Sequence, residues 1–82
     1  MSDIADRVRK VVARQLKVDL SRVTDDAEFV RDLGAESLQS IELVAAFEEE
    51  FDIEMEEEAA LAVKNVGDAI KFITKVIEQQ HG

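Results

Sequence analysis

Residues 37–51 read Ser37-Leu38-Gln39-Ser40-Ile41-Glu42-Leu43-Val44-Ala45-Ala46-Phe47-Glu48-Glu49-Glu50-Phe51. The stretch predicts the strongest helix of the chain. Ser37 stands where an N-cap belongs, and Gly34 permits the turn before it. At about 100° per residue the helix carries two apolar stripes instead of one. Leu43, Val44, Phe47 and Phe51 fall on one side, with the small Ser40 among them. Leu38, Ile41 and Ala45 fall on the other, between Glu42, Glu48 and Glu49. One stripe is enough to face a small bundle. The second, apolar and rimmed by carboxylates, suits a docking face, with apolar contact for affinity and charge for steering and register. The competing reading packs Leu38 and Ile41 beneath the loop that precedes the helix.

The flanking sequence predicts more helices. Ile4, Val8, Val11, Val12 and Leu16 mark one apolar face over residues 4–16, with Ser2 or Asp3 as its cap. Val66, Ala69, Ile70, Ile73 and Ile77 mark another over residues 66–79, capped by Asn65 with Asp68 three residues on. Residues 57–63 read as a short helix and residues 52–56 as a connection. Residues 17–36 lose the period and form a long loop, pinned by Val23, Phe29 and Leu33. Asp25 followed by Glu28 resembles a capping box for one helical turn within it. No hairpin signal appears. The expected architecture is all-α: a small four-helix bundle of three main helices, one short helix and a long first loop, forming one domain over residues 1–82.

Composition narrows the chemistry. The chain has 82 residues, 46% hydrophobic and 35% charged, which suits a folded, water-soluble domain with a small core. It has no Cys, which removes disulfides, thiolate zinc sites and thiol nucleophiles together. Its one His, near the C-terminus, leaves no His-based triad and no multi-His metal site. No catalytic constellation remains, so the chain is expected not to be an enzyme. Asp25, Asp26, Glu28 and Asp32 lack the Gly and terminal Glu of an EF-hand, so no dedicated metal site is expected. No apolar run approaches the ~20 residues of a membrane span, and no basic-then-apolar leader opens the chain, so the expected address is cytoplasmic.

Charge divides the chain. Residues 1–22 hold six basic and three acidic side chains, whereas residues 23–63 hold fourteen acidic ones and a single basic one, Arg31. The formal net charge is −9. Such a field repels nucleic-acid backbones and attracts basic protein surfaces.

Ser37 itself has two readings. A Ser opening a helix is usually a cap. The other reading is a hydroxyl that becomes chemically modified, and no His or Lys nearby in sequence activates it, so a second enzyme must supply the base.

The string Phe29-Val30-Arg31-Asp32-Leu33-Gly34-Ala35-Glu36-Ser37-Leu38, followed by Ile41-Glu42-Leu43-Val44 and Phe47-Glu48-Glu49-Glu50-Phe51-Asp52-Ile53, closely resembles the acyl carrier protein family, in its stand-alone bacterial type. The resemblance covers almost the whole chain. It implies a four-helix bundle whose central-helix serine, here Ser37, is esterified with 4′-phosphopantetheine by a phosphopantetheinyl transferase using coenzyme A and Mg²⁺. The arm's thiol would carry acyl chains as thioesters, which supplies the sulfur a Cys-free chain lacks. The implied role is to present them to fatty acid, polyketide or related lipid synthesis enzymes. The family's partner face matches Glu36, Leu38, Ile41, Glu42, Ala45, Glu48 and Glu49, much the same residues as the second stripe. Expected partners are the transferase and the acyl-loading and synthase enzymes with basic docking surfaces, met by a monomer. A peptidyl or D-alanyl carrier, or an unmodified acidic interaction module, is the alternative.

Three departures from the family pattern stand out. Glu36 replaces the usual Asp before the serine, Glu56 stands where Pro is common, and Leu61 and Ala62 stand where charges are common. The second implies a looser turn, the third deeper packing or an extra contact surface. Small residues, Ala45, Ala46, Ala59, Ala60 and Ala62, are candidates for leaving space between helices for an acyl chain.

Overall fold

The computed structural model describes residues 3–82. They form α1 (Ile4–Leu16), a 3₁₀ turn (Leu20–Arg22), α2 (Ser37–Phe51), α3 (Glu57–Leu61) and α4 (Val66–His81). Helix α1 packs on α2 and α4, and α2 packs on α3. Helix α1 begins where the side chain of Asp3 accepts the Asp6 N–H at 2.8 Å. Ser2, the other candidate cap, lies outside the described residues. The helix ends where Lys17 turns left-handed at φ 56°. Its stripe of Val8, Val11, Val12 and Leu16 is buried. Asn65 caps α4 by accepting the Asp68 N–H at 2.8 Å. Val66, Ala69, Ile73 and Val76 of α4 are buried, while Ile70 and Ile77 are partly so. Helix α4 continues to His81, past residue 79 where its apolar period runs out. Helix α3 stops at Leu61, short of residue 63, because its last N–H groups tighten onto closer carbonyls, Val63 onto Ala60 among them.

The long first loop is held by its own apolar anchors, since Val23, Ala27, Phe29, Leu33 and Ala35 are all buried. Two backbone bonds tie it to the start of α4: Phe29 N–H to the Lys64 carbonyl at 3.0 Å, and Val66 N–H to the Ala27 carbonyl at 3.0 Å. Gly67 N–H also reaches the Asp25 carbonyl, and a Cβ on Gly67 would stand 3.0 Å from that oxygen, a tight contact that glycine avoids. The expected capping box at Asp25 and Glu28 does not form. The Asp25 carboxylate is taken by Arg9 of α1 at 2.8 Å, and the Glu28 N–H by Asp32 at 2.8 Å. The loop's 3₁₀ turn lies at Leu20–Arg22 instead. After Leu33, Gly34 adopts φ 71°, a conformation open to glycine, and aims the chain into α2.

The connection after α2 is also tied down. Asp52 turns left-handed at φ 54° and buries Ile53 behind it. Glu56 has φ −68°, the value a proline ring would fix. Hydrogen bonds with Glu48, Gln80 and His81 hold this connection.

Candidate functional site

Ser37 is exposed and is the first residue inside α2, not its cap. The cap is Glu36, in extended conformation, whose N–H donates to the side-chain oxygen of Gln39 at 2.9 Å. Glu36 and Gln39 have the spacing of a capping box, and the bond between them is made without the serine. The Ser37 hydroxyl therefore stands at the positive end of the helix with no capping duty.

The two stripes of α2 separate cleanly. Leu43, Val44, Phe47 and Phe51 are buried, while Leu38 is 66% and Ile41 43% exposed. The first loop therefore does not cover Leu38 and Ile41. Ala45, Glu42 and Glu49 are exposed beside them. Glu36 is exposed at the start of the same helix. Glu48 differs. It is half-buried, and its Oε2 accepts the Met55 N–H at 2.9 Å, which gives it a structural role as well as a place at the rim.

An apolar cavity of about 240 Å³ lies between the helices, with Ser40 of α2 among its lining residues. Leu43, Phe47 and Val44 of α2, Phe29 of the loop, and Ala69 and Ile73 of α4 make its buried walls. Its rim carries the exposed Val30, Arg31, Leu61 and Lys64 and the half-buried Ser40. Ser40 lies one turn on from Ser37, about 4.5 Å along the axis. Of the five alanines singled out in the sequence, only Ala60 lines the space. Val30, Lys64 and Phe72 carried no sequence signal, because the folding of the first loop against α4 brings them there. Leu61 and Ala62 are both exposed, so the apolar character of α3 adds surface, not depth, and Leu61 stands on the cavity rim. Among the described residues no group of three or more acidic or His side chains is placed to hold a metal ion. Nor is any helix there long and apolar enough to cross a membrane.

The model of the family described as "Phosphopantetheine attachment site" matches residues 6–73. An acyl carrier protein of Caulobacter vibrioides is 57% identical over 75 residues, 92% of this chain and 96% of that protein. Another, from Phenylobacterium zucineum, is 56% identical over 73 residues, 89% of this chain and 92% of its own length. This chain belongs to the acyl carrier protein family, whose covalent prosthetic group is 4′-phosphopantetheine.

Proposed function

We propose that Ser37 is the attachment point of 4′-phosphopantetheine, and that this chain carries acyl groups between enzymes of fatty acid, polyketide or related lipid synthesis while catalysing nothing itself. The observation that carries this reading is the exposed, non-capping Ser37 hydroxyl one turn from the rim of an apolar cavity. Once attached, the arm supplies a thiol on which an acyl group rides as a thioester. The residues of the chain do the rest. Helix α2 holds the hydroxyl out at a corner where a transferase can reach it. Leu38, Ile41 and Ala45, with Glu42 and Glu49, offer a basic enzyme surface apolar contact and opposite charge. Glu36 adds charge next to the attachment point.

The cavity adds protection of the cargo. Each methylene moved out of water is worth about 0.8 kcal/mol, and an apolar cavity of about 150 Å³ already takes a benzene-sized ligand. This one is larger, and its rim mixes the polar Ser40, Arg31 and Lys64 with the apolar Val30 and Leu61. A medium acyl chain would enter it and keep water from the thioester, then leave for a partner's deeper pocket.

The test is direct. Incubate the chain with coenzyme A, Mg²⁺ and a broad-specificity phosphopantetheinyl transferase and weigh it intact. The wild type should gain one phosphopantetheine, Ser40→Ala should gain one, and Ser37→Ala none. A label on Ser40 would refute Ser37 as the attachment point, and none with any transferase tried would leave the unmodified acidic interaction module as the better reading.

A further inference from the structure

We infer that the last turn of α4 latches one wall of the cavity, and that Gln80 and His81 are positioning residues that set how firmly the cavity retains an acyl chain. The retention half rests on the acyl-carrier reading; the latch itself does not. The side-chain amide of Gln80 makes two hydrogen bonds to one residue: its oxygen accepts the Glu54 N–H at 2.9 Å, and its nitrogen donates to the Glu54 carbonyl at 2.8 Å. It meets both backbone groups as a strand neighbour would. His81 donates from Nε2 to the Asp52 carbonyl at 2.6 Å. Both side chains are exposed and neither belongs to the core, so they hold a segment, not the fold.

The held segment is the wall's support. Asp52 to Glu54 lead directly to Met55, which lines the cavity and whose N–H is bound by Glu48. Met55 in turn leads into α3, which contributes Ala60 and Leu61 to the same cavity. Helix α3 has five residues and no side-chain hydrogen bond at its cap. So short a helix does not hold itself in place. Its position is set by packing on α2 and by the connection that Gln80, His81 and Glu48 tie down. Releasing the two α4 side chains should free residues 52–55 to open locally while the bundle stays folded.

The experiment has two arms. In the unmodified chain, Gln80→Ala should speed amide exchange at Glu54 by about tenfold, the effect of two lost hydrogen bonds, and removal of residues 80–82, which also takes the His81 bond, by at least as much. Exchange at Val11 and Val12 should not change. Gln80→Glu, which keeps the acceptor and loses the donor, should fall between. In chains loaded with octanoyl or acetyl phosphopantetheine, the Gln80→Ala variant should lose its octanoyl thioester to hydroxylamine several-fold faster than wild type. The acetyl thioester, too short to be sheltered, should be cleaved at an unchanged rate. Unchanged exchange at Glu54 in both variants overturns the latch. Faster exchange with unchanged octanoyl cleavage, or equal acceleration of both thioesters, overturns the retention role. Failure of the wild type to accept the arm overturns the acyl-carrier reading, and the exchange arm still decides the latch.

Discussion

At Ser37 two roles that often share one side chain are separated, because Glu36 and Gln39 close the helix start and leave the hydroxyl without a cap to make. Ser37→Ala should therefore change stability by less than about 0.5 kcal/mol, the span between Ser and Ala inside a helix, read by urea unfolding. A loss of about 1–2 kcal/mol would mean that the hydroxyl caps after all. Gly34 carries the opposite load. At φ 71° with nothing within 4 Å of the place a Cβ would take, its substitution meets no clash and costs backbone strain alone. Gly34→Ala should destabilise the chain by about 1–2 kcal/mol. A neutral urea midpoint would show that the turn before α2 relaxes to another conformation.

Helix α2 serves two surfaces at once, and its glutamates divide between them. Glu42→Lys and Glu49→Lys should leave the melting temperature nearly unchanged while slowing association with a basic partner, since both are exposed beside Leu38 and Ile41. Glu48→Lys should in addition lower stability by about 1–2 kcal/mol, because it strips the Met55 N–H of its acceptor. If all three variants behave alike in thermal unfolding and in transferase kinetics, this division is wrong. On the other side of α2, Arg7 joins α1 to its end. Its Nε lies 3.0 Å from a Glu50 carboxylate oxygen, its Nη2 donates to the Glu50 carbonyl at 2.7 Å, and its guanidinium carbon sits 4.5 Å from the centre of the Phe51 ring. A planar, forked cation makes all three contacts and an ammonium does not. Arg7→Ala should cost about 1–2 kcal/mol, and Arg7→Lys should recover less than half of that. Full recovery by Lys would reduce the joint to charge alone.

The molecule as a whole is under electrostatic strain. Of the fourteen acidic residues in 23–63, only Asp25, Glu28, Asp32 and Glu50 form an ion pair with an arginine among the described residues. The others repel one another across a small body with a radius of gyration of 11.5 Å, not far beyond the ~8–10 Å over which moderate salt screens charge. Raising NaCl from a few millimolar to about 0.15 M should raise the melting temperature by a few degrees. A melting temperature that is flat or falling with salt would mean that the surviving ion pairs outweigh the repulsion.

Local periodicity was enough for the four helices and the buried stripe of α2, because each depends on neighbours three or four residues away. Periodicity also isolated Leu38, Ile41 and Ala45. Whether the loop covered them was not legible, because burial by a distant segment leaves no local mark. Contacts far apart in the chain, and choices between close neighbours, emerged only on folding. It gave the Asp25 carboxylate to Arg9, so the expected capping box is not made. It made Glu36 the cap, a choice between adjacent candidates that turns on the reach of Gln39. It bound Glu48 to Met55, and Gln80 to Glu54 across 26 positions of sequence. The cavity likewise exists only between elements, since loop, α2, α3 and α4 each supply one wall and none of them encloses a volume alone.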